Sequence, residues 1–421
     1  MDKIKVGVVG IGRGTSMIRY CESAGNAQVV AICDKWKEGL AHKQTELADR
    51  AVAAYTDYDE FLTHDMDVVV LANYATEHAP FAVKAMRAGK HVISEVLPCQ
   101  TMKEAVELIE TITGTGKQYF YAENYCYMPA PREMRRRYRA GEIGELEYAE
   151  GEYIHNCEPI WSDITYGDPT HWRNNMYATF YCTHSIGPML HITGLRPVKV
   201  TGFELPFNAR NARMGHRAGA CGIEMITLEN GAVIKSIHGG LNRNSVWYTL
   251  YGTKGRLESA RESAGADDVS RLYAETYAAD GEYDALKTEN LLPADEHTEA
   301  AKPFGHGGSD YYTMYNCMEK LLGNEQADVI GIYEALDMFL PGLFAYRSVL
   351  AGGVPMEIPD LRDKAQRDAW RNDTACTDPA VAGDMLLASY SKGNPDIPDE
   401  VYNRHRRRWE EKQFQGRYWK N

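Results

Sequence analysis

No CxxC pair occurs among the nine cysteines of this 421-residue chain, which stand singly at positions 21, 33, 99, 126, 157, 182, 221, 317 and 376. A zinc ribbon or a disulfide framework needs cysteines closely paired or in even sets, so neither is expected. Long apolar runs are missing too: none approaches the ~20 residues that cross a bilayer, and no basic-then-apolar leader precedes the first strand signal at Lys3. Basic charge is scarce. Against 59 Asp and Glu there are 46 Lys and Arg, a formal net charge of -13, which repels nucleic-acid backbones and anionic membranes. The one basic run, Arg406, Arg407 and Arg408, leads straight into Glu410 and Glu411 and reads as a solvated helix face. What remains is an ordinary globular composition, 44% hydrophobic and 25% charged, long enough for two domains and suited to a reducing cytoplasm.

Ile4 to Val9 reads as a strand, and Gly10-Ile11-Gly12-Arg13-Gly14 turns directly from it into a helix. Glycines belong there if the backbone must turn sharply and approach a pyrophosphate held by amides at the helix start, although an ordinary strand-to-helix turn shares the pattern. A second strand, Gln28 to Cys33, ends in Asp34, where an acid can accept hydrogen bonds from an adenosine ribose. That favours NAD, while Lys35 keeps NADP open. A helix near 36–49, an apolar run Asp67 to Ala72, a helix near 77–88, a strand Lys90 to Ser94, a helix 101–115 and a strand Gln118 to Ala122 continue the alternation. The fold class expected is α/β: a Rossmann doubly wound parallel sheet over residues 1–125. Ligands on such sheets lie beyond the carboxyl ends of the strands, where Asn73 to Glu77, Glu95 to Pro98, Glu123 and Asn124 fall.

After residue 125 long alternating strands follow, Leu146 to His155, Val198 to Pro206, Ile223 to Leu228, Ala232 to His238 and Ser245 to Tyr251. They predict an α+β domain over 126–360 with a large open, mainly antiparallel sheet. Helices are expected at 309–322 and 328–351, a long irregular loop at 157–180, and an arm at 361–421 carrying Trp370, Trp409 and Trp419, extended or helical on another surface or subunit.

The segments Gly10-Ile11-Gly12, Asp34, Thr76-Glu77-His78 and Ala88-Gly89-Lys90-His91-Val92-Ile93-Ser94-Glu95 resemble the glucose-fructose oxidoreductase and inositol dehydrogenase (Gfo/Idh/MocA) family over nearly the whole chain. In that family the glutamate is normally followed by Lys-Pro, the lysine contacting nicotinamide and substrate. Here Val96-Leu97 follows Glu95, and a valine cannot relay a proton. The NAD-dependent α-N-acetylgalactosaminidase branch typically has valine there. Further segments are similar to that branch: Glu123-Asn124-Tyr125-Cys126-Tyr127, Tyr181-Cys182-Thr183-His184-Ser185-Ile186-Gly187-Pro188, Gly252-Thr253-Lys254-Gly255 and His306-Gly307-Gly308-Ser309-Asp310. The chain departs from it at Cys182 and Ser185 and in having no tyrosine over Asn242 to Ser245.

The resemblance implies a redox-neutral glycoside hydrolase with tightly bound NAD, acting by transient C3 oxidation, elimination, water addition and re-reduction. The alternative is an NAD(P)-dependent dehydrogenase of a sugar, glycoside or cyclitol hydroxyl, and a third class is a non-catalytic NAD-dependent sensor or scaffold. The resemblance also implies a homo-oligomer, dimer or tetramer. Tyr181 and His184, three apart at a helix start, are the candidate hydroxyl partner and base, since histidine titrates near neutrality; a capped helix with a buried histidine would look the same. Gly10, Gly12, Arg13, Gly14, Asp34, Asn73, His78, Glu95 and Asn124 are the candidate cofactor residues, Glu95 and Asn124 serving otherwise to satisfy strand-end backbone groups. Tyr127, Trp172, Arg173 and His306 are the candidate substrate contacts, with plain packing or helix capping as their other reading. Glu152, His155, Asp163, His171, His184 and His238 show no recognised ligand spacing, so no metal is expected.

Overall fold

The computed structural model describes residues 3–261, 269–277 and 286–414. Strands β1 (Ile4–Val9), β2 (Ala27–Cys33), β3 (Ala53–Tyr55), β4 (Val68–Leu71), β5 (His91–Ser94) and β6 (Tyr119–Tyr121) form one parallel sheet in the order β3-β2-β1-β4-β5-β6. The central strands are continuous apolar runs because helices cover both faces; all four residues of β4 are fully buried. Strand β3, three residues of Ala-Ala-Tyr, is too short for any alternation to announce it. The helix Met102–Thr115 shows how locally the boundaries are set. Thr101 caps its start by accepting from the Glu104 amide, Glu104 reaches back to the Gln100 amide at 2.7 Å, and Gly116 ends it with a left-handed φ of 65°. The strand order is the Rossmann order, and the chain reverses direction of growth between β1 and β4.

Among the described residues the second sheet has nine strands. Its centre is the five expected from the sequence: β7 (Leu146–Ile154), β8 (Pro197–Glu204), β9 (Cys221–Leu228), β10 (Val233–Gly239) and β11 (Ser245–Gly252). Then come β12 (Gly255–Ser259), β13 (Leu272–Tyr277), β14 (Leu286–Leu291) and β15 (Met356–Glu357), in the order β14-β13-β12-β11-β7-β10-β9-β8-β15. Among the described strands only β7 and β10 pair in parallel; the other pairs are antiparallel.

The helices Thr183–Thr193 and Ile332–Leu350 cover one face of this sheet. The first lies so close that a Cβ on Gly151 of β7 would stand 1.9 Å from the Ser185 carbonyl oxygen; glycine is what admits the helix. Ile332–Leu350 begins four residues later than expected because the chain before it runs beside β6, where the Ile330 carbonyl accepts from the Tyr121 amide at 2.9 Å. Ser309–Leu321 packs back on Thr15–Ser23, with Tyr311 against Tyr20 and Met314 and Met318 in a core with Met17. The segment 157–180, expected to be irregular, holds short helices Trp161–Thr165 and Trp172–Asn175. The C-terminal helix Asp399–Phe414 lies on the first of these: Ser162 Oγ meets His405 Nδ1 at 2.8 Å and Lys412 meets Asp163 at 2.5 Å. Trp419 lies outside the described residues. Among the described residues no helix is long and apolar enough to cross a membrane.

Candidate active site

Where the carboxyl edge of the parallel sheet meets β7, β10 and the helix Thr183–Thr193, the chain encloses a cavity of about 360 Å³. Its floor comes from the first domain: Arg13 after β1, Ala72 and Asn73 after β4, Glu95 and Val96 after β5, and Asn124 after β6. Four successive strand ends thus converge on one space, as a doubly wound sheet requires of its ligand site.

The glycine loop fits a dinucleotide. Gly10 has φ 85° and a Cβ there would strike the Ala72 carbonyl at 2.4 Å; one on Gly14 would strike the Gly10 carbonyl at 2.5 Å. In front of Gly12 there is nothing within 4 Å among the described residues, open space at the start of a helix whose first turn has no acidic side chain and no side-chain cap. Free amides and the helix dipole there suit a pyrophosphate. Asp34 holds this loop from β2, accepting from the Ile11 amide with one oxygen and from the Trp36 amide with the other, both at 2.9 Å. Asn73 donates to Glu77 at 3.0 Å while its own oxygen is buried without a partner among the described residues.

Arg13 ties the domains together. It donates twice to Asp310 at 2.8 Å, and its Nε lies 2.7 Å from Glu95. Burial opposes the guanidinium charge, but Glu95 and Asp310 outweigh it and hold the group protonated above its ordinary range. Burial likewise opposes the charge of Asp310, yet hydrogen bonds from Arg13 and His306 hold its carboxyl well below the usual range. Asn124 donates to the same Asp310 at 2.9 Å. Glu95, with Arg13 as its partner, is pushed up by burial.

Opposite this floor stands His184, in the first turn of its helix. Its Nδ1 lies 2.6 Å from Glu123, a fully buried carboxylate that also accepts from Thr183 Oγ1 at 2.8 Å and from the Tyr125 amide at 3.2 Å. A carboxylate can only accept, so the imidazole proton belongs on Nδ1 and Nε2 keeps its lone pair. The ring is wedged among Tyr125 (4.3 Å), Tyr153 (4.6 Å) and Tyr181 (5.2 Å). Tyr181, two residues before the helix, stacks on Trp172 at 6.0 Å, and Arg173 lies over both rings. Burial raises the Tyr181 phenol above its ordinary range and Arg173 partly offsets this.

Of the residues expected from the sequence, Arg13, Asn73, Glu95, Asn124, Trp172, Arg173, Tyr181, His184 and His306 line the one cavity. Gly10, Gly12, Gly14 and Asp34 form the loop beside it. Two expectations are corrected. Tyr127 is 2% exposed and donates to the Asp328 carbonyl at 2.8 Å, packed on His191 away from the cavity, because its short helical turn points it inward. His78 is buried beneath the turn after β5, with Nδ1 2.8 Å from the Leu97 carbonyl, and burial pushes it down to about 4. His306 has the left-handed φ of 55° and meets Asp310 at 3.3 Å.

Sequence reasoning gave Glu123 only a place at a strand end and Asp310 only one in the first turn of a helix, and gave Tyr153 none. The first two sit inside quoted motifs and at a strand end or helix start, which was signal enough; Tyr153 is one aromatic in an alternating strand and carried none. Among the described residues no group of three or more His, Cys, Asp or Glu could hold a metal ion.

Residues 4–123 match the oxidoreductase family with NAD-binding Rossmann fold, GFO_IDH_MocA. The likeness to that family's model covers the first domain. The chain resembles proteins of glycosyl hydrolase family 109 over most of its length. The family 109 protein of Streptomyces filamentosus is 26% identical over 403 residues, 87% of this chain and 78% of that one. That of Saccharopolyspora erythraea is 25% identical over 400 residues, 86% and 83%. An oxidoreductase domain protein from Kribbella flavida has the same fold, with a TM-score of 0.70 at 17% identity over 85% of this chain and 100% of that one. The residue after the β5 glutamate is Val96, 6% exposed in the cavity floor.

Proposed function

We propose that the chain is a glycosidase that works by transient oxidation of its sugar at C3. When bound, a nicotinamide dinucleotide supplies the acceptor for one hydride and gives the same hydride back. His184 Nε2, backed by Glu123, takes the C3 hydroxyl proton as the hydride departs, and Tyr181 shares that oxygen as donor or acceptor. The C3 ketone makes the C2 proton acidic; once the histidine has passed the hydroxyl proton to water it removes the C2 proton, and the aglycone leaves C1 taking up the proton released earlier, which gives a C1–C2 double bond. Water adds at C1, the proton returns to C2, and hydride and proton return to C3. No net redox change occurs, so the cofactor can stay bound throughout.

The observation that carries this reading is a buried His184–Glu123 pair facing a cavity whose floor has Val96 where a lysine would serve a plain dehydrogenase. Trp172 and Tyr181 supply ring faces of the kind sugars stack on. The similarity to family 109 glycosyl hydrolases supports it. The outer face of the nine-stranded sheet, where Phe203 is 50%, Tyr251 40% and Met225 36% exposed, suits a homo-oligomer interface, which gel filtration tests.

The deciding experiment incubates purified protein, without added cofactor, with α- and β-nitrophenyl glycosides while following nitrophenol and NADH absorbance together. Nitrophenol release with no accumulating NADH is expected. Stoichiometric NADH formed only on adding NAD+, with no aglycone released, would mean a dehydrogenase of a sugar or cyclitol hydroxyl instead.

A further inference from the structure

On a doubly wound sheet the adenosine half of a dinucleotide lies beyond β2, on the side of the acid that ends it. Here that acid is Asp34, followed at once by Lys35 and Trp36. Lys35 bridges to Glu77 at 2.7 Å, joining the loop after β2 to the loop after β4, which carries Tyr74. From Trp36 an unbroken series of rings arches over this corner. Trp36 meets Trp409 at 6.3 Å, Trp409 meets Tyr166 at 5.3 Å, Tyr166 meets His171 at 5.9 Å, and His171 meets Tyr74 at 4.6 Å. Trp36, Tyr74, Tyr166 and Trp409 all remain partly exposed. Trp409 Nε1 is buried and finds no acceptor among the described residues, a donor that a native fold ordinarily satisfies.

Trp409 does not arrive there by chance of a loose tail. It is carried by the helix Asp399–Phe414, which is fastened along its length: Tyr402 Oη donates to the Gly215 carbonyl at 3.0 Å, His405 meets Ser162 at 2.8 Å, and Lys412 meets Asp163 at 2.5 Å. The same helix backs Trp161 and Ile164, which line the cavity.

We propose that the C-terminal helix is part of the cofactor site, and that the aromatic arc from Trp36 through Trp409 to Tyr74 binds the adenine ring, closing the adenosine end of the cleft. A flat aromatic base suits rings that present both faces and edges, and an adenine nitrogen suits the Trp409 N–H. The proposal concerns only the adenosine end, so it stands whether the reaction is hydrolysis or net oxidation.

The test strips the 421-residue chain of bound nucleotide and titrates it with ADP-ribose and NAD+ by calorimetry. Trp409→Ala is expected to weaken both by about tenfold, as loss of one stacking partner does, and Trp409→Phe to retain most of the affinity. Amide hydrogen exchange on the unaltered chain supplies a second reading that no misfolded variant can spoil: ADP-ribose should slow exchange across residues 399–414. A folded Trp409→Ala chain with ADP-ribose affinity within about twofold of the original, a phenylalanine variant as weak as the alanine one, or exchange unchanged by ADP-ribose would each overturn the proposal.

Discussion

At the scale of single residues the site rests on two carboxylates that do different work. Glu123 has no contact with water and orders His184 from behind; Asp310 neutralises Arg13 and holds the first domain's loop to the second domain's helix. Removing each should therefore be read differently. His184→Ala should keep cofactor binding and lose turnover by about 10²–10⁴-fold, the usual worth of a general base, in the nitrophenyl glycoside assay. Turnover retained in that variant would remove His184 from the mechanism. Glu123→Gln leaves the shape and the Thr183 contact but can no longer accept from the imidazole with a full charge. It should lower kcat by about 10²-fold with KM little changed, and move the acid limb of the rate profile; an unaltered profile would make Glu123 a mere packing residue.

At the scale of elements, the site depends on how closely the helix Thr183–Thr193 lies on the sheet. Gly151 sets that spacing, since any side chain there meets the Ser185 carbonyl one residue beyond His184. Gly151→Ala should cost about 1–3 kcal/mol through overpacking, seen as a lower denaturation midpoint. It should also reduce turnover, because the helix can yield only by shifting the base. Full activity with full stability would show the helix to be more accommodating than its contact with β7 implies. The element also explains a misreading: Tyr127 and Tyr125 lie two apart in one short turn, and only the packed structure shows that Tyr125 takes the His184 side while Tyr127 turns to Asp328.

For the whole molecule, buried titratable groups set the pH range of stability. Burial pushes His78 and His216 down to about 4 and His171 to about 3. The unfolded chain protonates these near pH 6.5 while the folded chain refuses the proton. Their contribution is complete above about 6.5 and is lost as pH falls toward 4, at up to about 1.4 kcal/mol per pH unit for each. Glu104 and Asp337 act oppositely, raised by burial to about 7 and about 6. The folded chain holds their protons longer than the unfolded one, so stability falls as pH rises through about 4 to 7. Thermal unfolding should then be most resistant near pH 6–7. Glu104→Gln should gain on the parent as pH rises from 5 to 8, and His216→Gln should flatten the acid side; parallel pH profiles for parent and variants would contradict this origin.

The amino-acid sequence by itself determined the Rossmann sheet, the glycine loop and the alternating strands of the second sheet. These follow from local rules: apolar period, turn chemistry and short motifs that few other arrangements use. Strands β12 to β15 escaped it because they are short or polar and are strands only through their neighbours. The tertiary structure alone decided that Glu123 stands behind His184, that Arg13 reaches Asp310 across 297 positions of chain, and that Trp409 meets Trp36. Such contacts join residues far apart in sequence, and no local period or propensity encodes a distance that only the closed chain creates.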